Sequence, residues 1–351
     1  MTGAPSLTVG EVGAFGRRLL EQLPQFGDLP QRTFRLHGLT LCVRSAAADY
    51  LELCERALVD DPANDNRQEA RLDVTVIDRS QEPRALHARL LAREVAADDI
   101  TKAMAAAGLD GMLVGHGESW QVFDPRRSAG IETVSALDRL APWERSTPLV
   151  NFLHWGLQAR GRRLLHAGTL AHGGVGVLVV GAGGAGKSGT VLSGIVNGLD
   201  STGDDYIALE QSANGVLSFP ITRLMKQDRA GLQRLGIDPD DSFGPVNWQS
   251  KHEFDFERFG RGRRAPSIRL AGIVLPRIAW TTRTEFVPVA AREAAMALIP
   301  SNLQQLPGGR PEGVRFVADM ARRLPAFRMN LSSDPAEIAG AVRDLITRLA
   351  P

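Results

Sequence analysis

The sequence predicts a mixed α/β chain of the α+β kind, with a small N-terminal α+β domain over about residues 1–145 and a larger domain over 146–351. Three observations carry this. The chain has 351 residues, more than one average domain holds. Helical and alternating apolar patterns are interleaved along both parts. In the second part an apolar run, a glycine-rich stretch at Gly181–Ser188 and a helical pattern follow one another directly.

The elements can be taken in order. Val12, Phe15, Leu19, Leu20 and Leu23 recur at helical spacing before Pro24, so a helix is expected over about 7–23. The run FRLHGLTLCVR reads as two short strands joined at His37-Gly38. Leu51, Leu53, Cys54 and Leu58 fall near one face of an amphipathic helix. LDVTVIDR and ESWQVFDP read as strands. This part carries no catalytic motif, so an accessory, scaffold or substrate-binding role is expected of it. Pro142-Trp143 and Thr147-Pro148 mark a turn-rich boundary, followed by a helix over roughly 149–160. LLHAGTLAHGGVGVLVVG reads as a hairpin around His172-Gly173-Gly174, its second strand feeding the glycine loop. Val191, Leu192, Ile195, Val196 and Leu199 then recur at helical spacing. Strands IRLAGIVLPRI and TEFVPVA, helix AREAAMALI, a Pro/Gly-rich loop over Leu306–Pro311 and helices EGVRFVADMARRL and PAEIAGAVRDLITRL complete the chain.

Composition removes several function classes. Lys plus Arg (41) nearly cancels Asp plus Glu (40), so there is no global basic field for nucleic acid. Two cysteines, Cys42 and Cys54, make no disulfide framework and point to a reducing compartment. The start lacks a basic stretch followed by an apolar run, so no signal peptide is expected. The most apolar stretch, Val175–Val180, is far shorter than the roughly 20 residues that span a bilayer. The expectation is a cytoplasmic protein without nucleic-acid or membrane partners.

The stretch Gly181–Ser188 fits the pattern G-x-x-x-x-G-K-[ST]. Gly181, Gly183, Gly184 and Gly186, with Ala185 between them, let the backbone curl its N–H groups inward as an anion nest. The helix that follows adds its free N–H groups and dipole through Gly189. Lys187 supplies a compact cation for β/γ-phosphate oxygens, and the Ser188 hydroxyl is a hard ligand for Mg2+. Gly181, Gly183 and Gly186 also spell a dinucleotide fingerprint, with Asp200, Asp204 and Asp205 near the distance of a ribose-binding acid. The Lys187-Ser188 pair has a task on a triphosphate and none on a dinucleotide, which decides for the former.

Phosphoryl transfer also needs a metal and a group to receive the acceptor's proton. Asp204 and Asp205 follow the loop helix, and adjacent carboxylates on extended backbone point to opposite sides. One can face the metal and the other the acceptor. The sequence does not separate them, and Asp205 is the metal-side choice beside Ser188. His166, on the strand before the hairpin, is a candidate for orienting phosphate or acceptor. His172 sits in the turn, where exposure is expected. Arg223, Lys226, Lys251 and Arg277 are scattered cations, of which one or more would neutralise the transferred charge. Arg258, Arg261, Arg263 and Arg264 read as a flexible, solvated basic loop.

The segment from Leu164 to Leu209 resembles the catalytic core of HPr kinase/phosphorylase, with His166 before a hairpin, the loop Gly181–Ser188, a helix, and the pair Asp204-Asp205. The resemblance covers about 45 residues. It implies a phosphoenolpyruvate-carboxykinase-like P-loop fold, ATP and Mg2+ as cofactors, and transfer to a serine hydroxyl. It also implies acceptor activation and metal or phosphate binding by the Asp pair and His166. The tail AREAAMALIPSNLQQLPGG…ADMARRLPAFRMNL is similar to that of HPr-kinase-like serine kinases found with peptide-tailoring genes. The later Glu-x-Arg-Gly-Leu-Gly signature of the bifunctional enzymes is absent from this sequence. The reading is therefore a stand-alone kinase acting on a serine-bearing peptide or protein, with room for a homo-oligomer. The alternatives are a nucleotide-binding regulatory or assembly protein without transfer, a small-molecule hydroxyl kinase and a Rossmann oxidoreductase.

Overall fold

The computed structural model describes residues 9–61, 70–78, 97–114, 119–134, 136, 140–259, 261–305 and 310–350. Most of the Pro/Gly-rich loop expected at Leu306–Pro311 lies outside them. Among the described residues the protein is mixed α/β, with ten α-helices and sixteen strands. It divides into two compact units, Met1–Arg160 and Gly161–Pro351. No helix among the described residues is long and apolar enough to cross a membrane.

The first unit is a six-stranded mixed sheet with helices packed on it. Its strands are β1 (Gln31–Leu36), β2 (Leu39–Ser45), β3 (Ala70–Asp78), β4 (Asp110–Val114), β5 (Ser119–Asp124) and β6 (Ala129–Val134), in the order β1-β2-β3-β6-β5-β4. The expected hairpin is β1–β2, closed at Gly38 with φ 65°. Helix α1 (Val9–Glu21) and helix α3 (Ala97–Ala106) cover one part of the sheet, Phe15 meeting Trp120 edge-on at 4.9 Å. Helix α2 (Ala48–Ala57) buries Tyr50, Leu51 and Cys54.

The unit boundary falls later than the sequence indicated, and the reason is local. After the short helix α4 (Pro142–Ser146), helix α5 (Val150–Gln158) is buried at every position from Val150 to Leu157. Its Phe152 fills the space above Gly130, where an added Cβ would stand 2.5 Å from the ring, and its Trp155 stacks on Phe123 at 6.2 Å. A helix apolar all round belongs inside a core, and this one completes the core of the first unit.

The same unit buries acids. Glu132 accepts hydrogen bonds from Ser119 Oγ (2.8 Å), Gln121 Nε2 (3.0 Å) and Tyr50 OH (3.3 Å). Gln121 Nε2 also approaches Glu144 at 3.3 Å. Burial pushes the Glu144 carboxyl well above its ordinary value near 4.5, and the Glu132 charge pushes it further. A raised folded pKa means that the native state holds the proton more tightly, so stability is greatest below the ordinary value and is lost as pH rises toward the folded one. Glu144→Gln should flatten that decline: its first-unit transition should fall less than that of the wild type as pH rises from acid to neutral. Calorimetric scans of both proteins across that range check this.

The second unit is three-layered. Its eight-stranded mixed sheet contains β7 (Arg162–His166), β8 (Gly168–His172), β9 (Val175–Val179), β10 (Tyr206–Ser212), β11 (Gly215–Pro220), β14 (Ile268–Thr281), β15 (Glu285–Val289) and β16 (Ala326–Ser332). The path runs β15-β16-β14-β11-β10-β7, and β9 pairs parallel to β14 and antiparallel to β8. The pairing of β7, β10 and β11 is antiparallel throughout, unlike a doubly wound parallel sheet. Strand β12 (Leu224–Asp228), followed by the short helix α7 (Arg229–Leu235), and strand β13 (Lys251–Asp255) form a separate ribbon.

Strand β9 shows how the layers arise. Val177 and Val179 enter the core under helix α6 (Lys187–Val196) and helix α10 (Pro335–Leu349), while Leu178 and Val180 enter the core under helix α8 (Ala291–Gln305) and helix α9 (Arg310–Arg323). Period-two alternation between two apolar faces buries the strand on both sides. The phosphate-loop candidate follows the end of this strand.

In the basic segment Arg258–Arg264 the side chains of Arg258, Arg261 and Arg263 are exposed, as a solvated loop implies, but Arg264 and the backbone at 262–263 are tied down. Arg264 is only 10% exposed and bridges Asp255 and Glu257 at 3.5 and 3.1 Å. Arg263 N donates to Asp200 Oδ1 at 2.8 Å, and Gly262 N donates to the Ile195 carbonyl at 2.9 Å. A Cβ on Gly262 would stand 1.9 Å from the Leu199 carbonyl oxygen, a backbone atom that cannot move aside. The segment ties down the C-terminal end of α6, so Gly262→Ala should cost about 3 kcal/mol or more, read as a fall in the second-unit melting transition.

Candidate active site

The glycine loop leaves β9 and enters α6 through Gly186, whose φ of 101° favours glycine. An L side chain there would be strained and its Cβ would stand 2.7 Å from Leu331 Cδ1. Gly184 also has positive φ (79°), and Ala182, Gly183 and Gly184 are exposed. Within the loop the Ala185 N–H is used by the Ala182 carbonyl. No side chain caps the start of α6, so its first N–H groups remain available to an anion.

Lys187 is 7% exposed, and its stem is packed while its ammonium turns back over the loop. Nζ lies 3.5 Å from the Gly181 carbonyl and 3.2 Å from His166 Nε2. Burial lowers the pKa of this ammonium, the charges of Asp204 and Asp205 raise it, and Lys251 lowers it.

The Asp pair is held by a zipper. Ala171 and Asp200 exchange backbone hydrogen bonds at 2.7 and 2.9 Å, Thr169 N donates to Gly203 O at 3.0 Å, and Ala167 N donates to Asp205 O at 3.1 Å. A chain of buried hydroxyls fixes the same segment: Thr169 Oγ1 meets Thr202 Oγ1 at 2.9 Å, which meets Ser218 Oγ at 2.6 Å. Ser201 and Thr202, both fully buried, therefore form a strut beneath the Asp pair.

The two aspartates face different partners. Asp204 is 2% exposed, its Oδ1 has no hydrogen-bond partner, and the nearby Ser188 hydroxyl favours its charged form. Gly168 makes the room: a Cβ there would stand 3.4 Å from Asp204 Oδ1 and 2.6 Å from Val191 Cγ2. Burial raises the Asp204 pKa, Lys187 and the Ser188 hydroxyl pull it back, and the Asp205 charge adds to the rise. Asp205 is the reverse case. Burial would raise it, but Lys226 Nζ at 2.6 Å from Oδ2 and His166 Nε2 at 3.1 Å from Oδ1 hold it well below the usual carboxylate range.

The geometry distinguishes the two aspartates that the sequence alone does not separate. The carboxylate beside Ser188 is that of Asp204, whereas Asp205, the metal-side choice, has both oxygens occupied by Lys226 and His166. Asp204 and Asp205 lie in a bend just before β10 rather than on the extended backbone expected, and it is the first that turns toward the loop.

His166 joins the two halves of the site. Its Nε2 carries a proton when it serves Asp205 and a lone pair when it serves Lys187, so one nitrogen stands between two partners. Its ring packs near Tyr206 at 5.6 Å, and its backbone N donates to Asn302 Oδ1 at 2.7 Å. Asn302 lies on α8, far along the chain, and no sequence pattern marks it. Of the scattered cations, Lys226 and Lys251 act on the site, Arg223 pairs with Asp255 at 2.6 Å, and Arg277 is exposed on β14. His172 is exposed at the end of β8, as its place in the turn implied.

Ser188 and Asp204 offer two oxygen ligands, one of them a buried carboxylate with a partnerless oxygen. Among the described residues no group of three or more His, Cys, Asp or Glu side chains forms a metal cage. Mg2+ bound through substrate phosphates needs only one or two protein oxygens, so these residues fit a phosphate-borne Mg2+. No protein-family model matches the chain, and no curated protein matches it.

Proposed function

We propose that this chain is an ATP-dependent kinase that transfers the γ-phosphoryl group to a hydroxyl, foremost a serine of a peptide or protein, on an HPr-kinase-like P-loop domain. The observation that carries this is the contact chain from Lys187 through His166 to Asp205 and Lys226. It joins a phosphate-loop cation to an ionised carboxylate in one site, which is what positioning plus charge stabilisation requires of phosphoryl transfer.

The roles follow from chemistry. The loop amides and Lys187 hold the β- and γ-phosphates. Ser188 and Asp204 would hold Mg2+, which when bound neutralises charge on the phosphate oxygens. Asp205, oriented by His166 and Lys226, accepts a hydrogen bond from the acceptor hydroxyl. As the new O–P bond forms and the bond to the leaving ADP oxygen breaks, the hydroxyl proton passes to Asp205. A firmly ionised carboxylate is a weak base, so its main service is orientation, with the proton lost late in a loose transition state.

Binding and transfer are separable by experiment. At about a hundredfold excess over Kd, a ligand adds about 2.7 kcal/mol to stability, roughly 5–10 °C for a unit of this size. Mg-ATP should raise the second-unit melting point by that order, and Lys187→Ala should abolish the rise. A rise with NADH and none with Mg-ATP would contradict the proposal. In a second experiment, Asp205→Asn should keep the Mg-ATP shift and lower phosphoryl transfer to a serine acceptor by about 10²- to 10⁴-fold. Transfer at the wild-type rate would remove Asp205 from the chemistry.

A further inference from the structure

The ribbon of β12 and β13 carries a feature that the proposed chemistry does not use. Its connecting segment ends in a tight turn built around Asn247. Asn247 Oδ1 accepts from Gln249 N at 2.9 Å and from Lys251 N at 3.1 Å, while its Nδ2 donates to Glu253 Oε1 at 3.0 Å. Asn247 N donates to the Lys251 carbonyl at 2.8 Å, and Ser250 closes the turn at φ 57°. This bonding holds Trp248 outward, 43% exposed, with Val246 48% exposed nearby. An indole is a large apolar group that folding normally covers, and here a well-bonded turn keeps it uncovered.

Its position is set by Lys226. The Lys226 ammonium that pairs with Asp205 lies 5.6 Å from the Trp248 ring centroid, within cation–π range. Lys251, in β13, exerts its charge on both Lys187 and Asp204, so the ribbon flanks the site through a second residue. The contacts run from the loop to Lys187, His166, Asp205, Lys226 and then Trp248. Trp248 thus stands next to Lys226, the direct partner of Asp205, the carboxylate that the kinase reading gives to the acceptor hydroxyl.

Resting on the kinase reading, we infer that Trp248 is an acceptor-binding residue, against which a serine-bearing polypeptide lays an apolar or aromatic side chain close to its phosphorylated serine. Aromatic anchors of this kind carry much of the affinity in peptide recognition. The indole gives stacking area, and the Asn247 turn removes the need to order it on binding.

The test uses the full chain, γ-labelled Mg-ATP and an array of serine peptides of varied flanking sequence, with the Mg-ATP melting shift measured alongside. The wild type should label a subset rich in apolar or aromatic flanking residues. Trp248→Ala should cut that labelling at least tenfold by raising the peptide KM, with the Mg-ATP shift unchanged, and Trp248→Phe should retain most of it. Loss of kcat at constant KM would make Trp248 a positioning residue acting through Lys226 and would overturn the inference. So would unchanged labelling, a reduced Mg-ATP shift that assigns the indole to the nucleobase, or a wild type that shifts with Mg-ATP yet labels no peptide. A wild type without any Mg-ATP shift would bring down the kinase reading itself, and the inference with it.

Discussion

Asp205 is ionised against the pull of its surroundings, and the arrangement of the site depends on how that is done. Partial burial alone would favour the neutral acid. Lys226 on one oxygen and His166 on the other reverse the balance. Once Asp205 is committed to those partners, the neighbouring Asp204 is left with the Ser188 hydroxyl and an unsatisfied oxygen. Two adjacent side chains of one type thus acquire opposite electrostatic characters, a pattern that assigns different tasks to chemically identical groups.

The fold supplies the rigidity this needs. The zipper between residues 167–171 and 200–205 fixes where both carboxylates emerge. The hydroxyl chain through Thr169, Thr202 and Ser218 stiffens it without adding charge. Strand β9, buried on both faces, fixes the start of the loop, and Gly262 anchors the far end of the loop helix. The β12–β13 ribbon is fixed from within, Met225 and Phe254 entering the core beside Val177 and Val191, and at the site by the Lys226–Asp205 pair.

What could be read in the sequence divides along the same physical line. The loop was legible because a phosphate nest needs glycine torsions, a lysine and a hydroxyl in fixed order within eight neighbouring positions, Gly181–Ser188. The hairpin at Gly173–Gly174, the loop helix and the closing helix α10 were legible from local periodicity. The partners of Asp205 were not, because Lys226 lies 21 residues away and meets it only through the ribbon. Asn302 is further still from His166. The choice between Asp204 and Asp205 turned on how the bend before β10 presents each side chain, which residue type alone does not fix. In the basic stretch Arg258–Arg264 the reading failed at Arg264, because charge density looks the same whether a guanidinium group is solvated, as at Arg261 and Arg263, or pinned between acids.

The most direct test of the central claim is a crystal structure with Mg2+ and a non-hydrolysable ATP analogue. The account predicts the γ-phosphate within hydrogen-bond distance of Lys187 Nζ, the metal between Ser188 Oγ and Asp204, and Asp205 still held by His166 and Lys226. An analogue bound away from the Gly181–Ser188 loop, or a metal ligated by Asp205 with Asp204 left unbound, would contradict it.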